Sequence, residues 1–240
     1  MRVINMIIDV HTHLMDSVES LLDTAQRFGI TKIFLMPYKA IYRTEVMLDN
    51  LQVINAYKKY PDKIVPFVTV DPWMKEEAVK QLKELILLGA KGLKLHPLTQ
   101  GLPAHSELYH PLIEIAEKYG IIVQFHTGSP IYSQPLQVLE LALTYTKTKF
   151  ILAHMGLGML WLDAIRATKR ADNIYLDTAG QRFIPVIKYA IKELSSERIL
   201  FGSDAPFLSL EVELRKILRL SLPEKDLENI LYNNASKLLK

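Results

Sequence analysis

Short apolar runs alternate with longer stretches whose apolar positions recur at helical spacing, along the whole chain. The runs predict strands at Asn5–Val10, Lys32–Met36, Ile64–Val70, Gly92–His96, Ile121–His126, Lys149–His154, Ile174–Thr178 and Arg198–Gly202. The stretches between them read as helices. Val18, Leu21, Leu22, Ala25 and Phe28 share one face of Ser17–Phe28, and Gly29 follows where a left-handed cap belongs. Thr44–Tyr60 stops before Pro61, and Ala78, Val79, Leu82, Leu85 and Ile86 line Lys75–Leu88 before Gly89. Further helices are predicted from Pro111 to Gly120, Pro135–Tyr145, Met159–Lys169 and Ile184–Leu194, with two closing helices at Leu208–Leu220 and Pro223–Leu239. Unbroken strand–helix alternation implies a parallel sheet with right-handed crossovers. Eight such units imply closure into a (β/α)8 TIM barrel. No linker or longer repeat interrupts them, so residues 1–240 read as a single domain.

Composition narrows the chemistry. The 240 residues approach the ~250 typical of such a barrel. The 29 Lys and Arg barely exceed the 26 Asp and Glu and are spread along the chain, so no nucleic-acid partner is expected. Without any cysteine, disulfides, iron–sulfur clusters, Cys-bound zinc and thiol catalysis are excluded, and a metal would need His and carboxylate ligands. No apolar run approaches the ~18 residues of a membrane span, so no membrane partner is expected. The first strand and its histidines fall within the first dozen or so residues, where a signal peptide would lie. A cytoplasmic protein is therefore expected.

In a barrel the reacting groups sit at the C-terminal strand ends. Five of the seven histidines fall there: His11 and His13 after strand 1, His96 after strand 4, His126 after strand 5 and His154 after strand 6. Asp204 follows strand 8 in Phe201-Gly202-Ser203-Asp204. Side chains two apart in a strand share a face, so His11 and His13 can converge on one ion. His11, His13, His126 and Asp204 can make a three-nitrogen, one-oxygen site. It suits Zn²⁺, with Mn²⁺, Fe²⁺ and Co²⁺ as alternatives. Bound water would be acidified there, with Asp204 accepting its proton. His154 is either a further ligand or a neighbour that orients water or polarises substrate.

Lys94 and His96 share a face of strand 4. A lysine inside a strand needs a partner. It either neutralises Asp204 or Asp9, binds a substrate carboxylate, or is carboxylated and bridges two metals. His96 serves substrate or supports a ligand. Arg43, Lys39, Trp73, Gln181 and Arg182 lie in loops at the same rim. Arg43 and Arg182 suit a carboxylate or phosphate on the substrate. His105 and His110 read as solvent-facing. Short βα loops imply a shallow pocket for a small-molecule substrate unless a second subunit closes it, so a homo-oligomer is an open expectation.

Taken together, Asp9-Val10-His11-Thr12-His13-Leu14, Gly92-Leu93-Lys94-Leu95-His96-Pro97, Phe125-His126-Thr127-Gly128, Ala153-His154-Met155-Gly156, Phe201-Gly202-Ser203-Asp204-Ala205-Pro206 and the closing Asn233-Asn234-Ala235-Ser236-Lys237-Leu238-Leu239 resemble the amidohydrolase superfamily. The resemblance is to the amidohydrolase-related branch that includes aminocarboxymuconate-semialdehyde decarboxylase. It implies a distorted barrel with one divalent metal per chain, usually zinc, and two if Lys94 is carboxylated. It implies His11, His13, His126 and Asp204 as ligands and His154 as the acid/base or water-orienting residue. The branch holds hydrolases of amides and lactones, and nonoxidative decarboxylases using the same metal site. The chain is shorter than those decarboxylases, so the first expectation is a hydrolase. In it, metal-bound water activated by Asp204 and His154 attacks a small amide, lactone or ester. The alternative is decarboxylation of an unsaturated acid. A TatD-like deoxyribonuclease comes third, since Lys94 and His96 stand where its strand-4 glutamate would be.

Overall fold

The computed structural model describes residues 6–240, so the predicted first residue of strand 1, Asn5, lies outside it. The order is β1 (Ile7–Leu14), α1 (Val18–Arg27), β2 (Ile30–Pro37), α2 (Val46–Lys59), β3 (Ile64–Val68), α3 (Glu76–Leu87), β4 (Gly92–Leu95), a one-turn α4 (Pro97–Gln100), α5 (His110–Tyr119), β5 (Ile122–His126), α6 (Pro135–Thr144), β6 (Phe150–Ala153), α7 (Trp161–Arg170), β7 (Ile174–Asp177), α8 (Ile184–Leu194), β8 (Ile199–Leu200), α9 (Leu210–Leu218), α10 (Glu224–Glu228) and α11 (Asn234–Leu238). The strands lie in sequence order, every ladder parallel, in a (β/α)8 TIM barrel. Among the described residues no helix is long and apolar enough to cross a membrane.

The helix signals act as their chemistry requires. Ser17 caps α1 by accepting from Ser20 N–H, and α5 carries Pro111 in its first turn and stops at the left-handed Gly120. Most of the buried apolar residues lie between strands and helices. A second cluster fills the barrel below the site: Ile8 and Val10 from β1, Phe34 and Met36 from β2, Val65 and Phe67 from β3, then Ile122, Ile151 and Leu200. Gly92 leaves room for Phe67, whose ring would lie 2.3 Å from an added Cβ.

Several predicted boundaries shift, four of them at strand ends beside the site. β1 runs through the histidine motif to Leu14. Its register with β2 slips between Asp9 and Thr12. With unbroken alternation Thr12 would follow Ile8 and Val10 into the barrel. Instead Thr12 Oγ1 donates to Phe34 O, and His11 and His13 line the cavity. β4 and β6 end one residue before His96 and His154, and both residues enter tight helical turns. β8 keeps only Ile199 and Leu200, because Phe201 N–H turns to Ile230 O. The last predicted helix breaks at a π-turn, Asn229–Asn233. There Asn229 and Asn234 spend their side-chain amides on Ser196 and Ile199.

Candidate active site

The barrel closes through the site. Val10 N–H donates to Phe201 O (2.9 Å), Asp204 N–H to His11 O (2.7 Å) and His13 N–H to Ala205 O (2.8 Å). Asp204 and His154 both hold left-handed backbone, φ 61° and 68°. Such strain in non-glycine residues gathers at functional sites. Gly128 lets the turns after β5 and β6 touch, since an added Cβ would meet Gly156 C at 2.6 Å.

A cavity of about 180 Å³ is lined by His11, His13, Ile41, Tyr42, Lys94, His96, His126, His154, Asp204 and Phe207. A larger groove of about 360 Å³ lies beyond His13, between α1 and the start of α9, and contains none of the other predicted site residues. Chemistry, not size, points to the smaller space.

Main-chain and carboxylate oxygens fix the tautomers. Nδ1 of His11 lies 2.9 Å from Asp177 Oδ2, that of His13 3.2 Å from Pro37 O, and that of His154 3.1 Å from Ala179 O. These oxygens only accept, so each Nδ1 carries the proton and each Nε2 presents a lone pair to the cavity. His96 is set the other way. Its Nδ1 accepts from Thr99 N–H, leaving Nε2–H as a donor.

Four of the cavity imidazoles are also kept neutral. Burial lowers the pKa of His154 to about 4 and that of His96 to about 3, with neighbouring positive charge adding to each. Burial likewise depresses His11 and His126. Burial works against the ionised form of Asp204, but the attraction of His11, His13 and His154 whenever one of them takes up a proton is stronger, and the carboxyl stays well below its usual range.

The result is acceptors facing acceptors. Asp204 Oδ1 is 3.3 Å from His11 Nε2 and 3.2 Å from His13 Nε2. Ligand atoms of His11, His154 and Asp204 all lie within 4.8 Å of one another. Neutral imidazole lone pairs against a carboxylate repel unless a cation stands between them, so this donor set fits a divalent ion. His126 lines the same space, but its Nε2 is 2.9 Å from Ser129 Oγ and its ring stacks on His96 at 3.9 Å. The three-residue cluster thus contains His154, and His126 stands beside it.

Lys94, 1% exposed, brings Nζ to 3.0 Å from His11 Nε2. Burial draws its pKa down to about 8, against the pull of Asp177 and Asp204. With Nε2–H of His96, the next residue after β4, it makes a wall of donors opposite the acceptors of β1 and of Asp204 beyond β8. Arg43 donates to Asp71 at 2.9 Å, Arg182 is exposed, and neither lines the cavity. Gln181 is bound to Leu157 O and Trp73 to Gln100 O. His105 and His110, read as solvent-facing, are both half-buried: Nδ1 of His105 lies 3.5 Å from Glu140, and His110 meets Tyr145 Oη.

The sequence reading missed Asp177, the fully buried hub of the site. Its Oδ2 accepts from His11 Nδ1–H and Gln124 Nε2–H, both at 2.9 Å; its Oδ1 accepts from His154 N–H at 2.8 Å and Ala179 N–H at 3.0 Å. Its signal was the same strand-end position that marks the histidines. Ile41, Tyr42 and Phe207 carried no such signal. Phe207 packs edge-on against His13 and Tyr38, and Tyr38 against Tyr42, forming an aromatic lip.

Asp9 lies below the ligands. Its Oδ1 accepts from His11 and Ser203 N–H, while Oδ2 has no partner among the described residues. Burial pushes its pKa up to about 7. Between about pH 4 and that value the folded chain therefore keeps a proton the unfolded chain has lost, and this group's stabilisation declines as pH rises. In metal-free protein, the stability of Asp9→Asn relative to the native chain is expected to improve steadily from pH 4 to 7. Denaturant midpoints that stay in constant offset across that range would refute this.

A family model described as Amidohydrolase matches residues 8–240. The gamma-resorcylate decarboxylase of Polaromonas sp. (strain JS666 / ATCC BAA-500) is 31% identical over 115 residues, a match spanning 40% of this chain and 35% of that protein. The structure of 2,6-dihydroxybenzoate decarboxylase from Rhizobium superposes with a TM-score of 0.83 at 17% identity, covering 98% of this chain and 99% of that one. A dihydroxybenzoic acid decarboxylase from Polaromonas sp. JS666, solved with bound manganese and the inhibitor 2-nitroresorcinol, gives a TM-score of 0.78 at 18% identity, covering 98% and 97%. These superpositions establish the barrel fold, and the family model covers nearly its full length. The chain belongs to the amidohydrolase family.

Proposed function

We propose that this chain is a metal-dependent, nonoxidative decarboxylase of a small aromatic acid. The observation that carries the reading is the donor wall at the end of β4, Lys94 and His96, facing Asp204 and the histidine lone pairs across one cavity. A carboxylate seated on Lys94 and His96 would leave its ring against Tyr42 and Phe207. The hydrolase expected first from the sequence is the weaker reading. Its reaction has no need of a buried ammonium, and the relatives named above are decarboxylases.

His11, His13, His154 and Asp204 would hold the ion, with His126 adjacent. Bound there, a divalent ion supplies Lewis-acid polarisation of substrate oxygens. His and carboxylate donors suit zinc and manganese alike, and the neighbour's manganese supports the latter. The substrate enters as its carboxylate, whose charge beside Asp204 favours the protonated form of that side chain, and Asp204 takes up a proton from water. The electron pair of the carbon–carboxylate bond passes to the ring carbon, CO2 leaves, and Asp204 returns the proton to that carbon. The tautomer of His154 keeps its Nε2 an acceptor throughout.

The test is CO2 release from a panel of hydroxybenzoic acids, with Lys94→Met alongside. The native protein is expected to release CO2 from at least one acid, and Lys94→Met to raise KM about tenfold or more. Ester or lactone cleavage without CO2 release would restore the hydrolase reading. Two metal ions per chain in protein purified with bicarbonate would make Lys94 a carboxylated bridge, not a substrate ligand.

A further inference from the structure

Helix α9 carries two charged residues on its inner face, Glu213 and Lys216, both about nine-tenths buried and paired with each other. Their remaining bonds go to one turn. Glu213 Oε2 accepts from Gly180 N–H at 3.0 Å, and Lys216 Nζ donates to Thr178 O at 2.9 Å. Between these two anchors lies Ala179, whose carbonyl is the acceptor for His154 Nδ1. From inside the barrel Asp177 Oδ1 holds Ala179 N–H. Gln181 ties the end of the turn to Leu157 O, three residues after His154.

A buried ion pair is a poor stabiliser; apolar residues of similar volume often serve as well or better. Burial disfavours the ammonium of Lys216, as its lowered pKa records. The pair's distinctive product is the fixed position of one peptide carbonyl. We propose that Glu213 and Lys216 are positioning residues. From outside the barrel they hold the Thr178–Gly180 turn so that Ala179 O dictates the Nδ1–H tautomer of His154. Released, the carbonyl could turn away and the ring could place its proton on Nε2. The lone pair now facing the site would then become a donor. The catalytic consequence rests on the proposed use of His154 Nε2; the tautomer itself does not.

The test is therefore read first on metal-free protein. Long-range ¹H–¹⁵N correlation of histidine-labelled protein reports which ring nitrogen is protonated, and His154→Gln assigns the signal. The native chain is expected to show His154 as the Nδ1–H form alone. Glu213→Met with Lys216→Met removes both anchors and leaves no unpaired charge. It is expected to keep a native-like melting temperature and to show at least a third of His154 as Nε2–H. Glu213→Gln keeps an acceptor for Gly180 N–H and should restore the native pattern. In metal-loaded protein the double variant should lower kcat at least tenfold, with KM changed less than twofold. An unchanged tautomer in the double variant overturns the proposal. A shifted tautomer with unchanged CO2 release upholds the clamp and removes His154 from the reaction. Should the double variant not fold, Lys216→Met alone frees Thr178 O, and a pure Nδ1–H signal there is equally fatal.

Discussion

Asp204→Asn is expected to lower CO2 release by about 1,000-fold or more while the barrel stays folded, because it removes both a proton carrier and an anionic ligand. The backbone bond that seats the residue, its N–H to His11 O, is untouched by the change. The metal-free variant should melt at or above the native temperature. An introduced amide can donate to the Nε2 of His11 or His13, where the carboxylate offers them only another acceptor. Lost activity beside unaltered or raised stability separates a chemical role from a structural one. Radiometric CO2 assay and a thermal melt on the same preparation decide it, and activity within tenfold of native would remove Asp204 from the reaction.

Asp177→Asn should be the more damaging change for the molecule as a whole. Each oxygen of this carboxylate accepts two N–H groups: His11 Nδ1–H and Gln124 Nε2–H on one, His154 N–H and Ala179 N–H on the other. An amide cannot satisfy that pattern. Wherever its NH2 is placed it faces two donors, so at least one pair loses its acceptor in a dry interior. A loss of about 1–3 kcal/mol per unsatisfied group is expected. The way out for His11 is to flip its tautomer, which puts a proton on Nε2 and removes a ligand lone pair. Manganese affinity should then fall about 10–100-fold. Titration calorimetry with Mn²⁺ and a urea melt measure the two effects, and native affinity in the variant would show that Asp177 does not govern His11.

The barrel was legible because its signals are local. Short apolar runs mark the strands, Gly29, Pro61, Gly89 and Gly120 mark the turns into β2, β3, β4 and β5, and the helices bury their apolar faces against the sheet. The histidines were legible because strand ends in this fold point to one rim. What escaped the sequence were phases and partners. Alternation along β1 favours Thr12 for the interior, and only the register slip beside β2 explains why His11 and His13 take its place. The ring stack of His96 on His126 and the tautomer set by each carbonyl depend on sub-ångström placement between strands far apart in the chain. Arg43 was attractive as a loop cation, but Asp71 holds it, and nothing within the sequence near either residue announces that pairing.

The short β8 changes what can be exchanged in this molecule. Strand 8 pairs with β7 through only two residues, and past Leu200 the chain is fastened to β1 by bonds at Val10, His11 and His13. A recombination experiment that swaps the last βα unit with a homologue's would therefore cut across the site rather than beside it. Residues 7–14 and 199–206 form one transplantable module, although nearly the whole chain separates them. Chimaeras that move both together should inherit the donor's activity, and those that move one should inherit neither parent's.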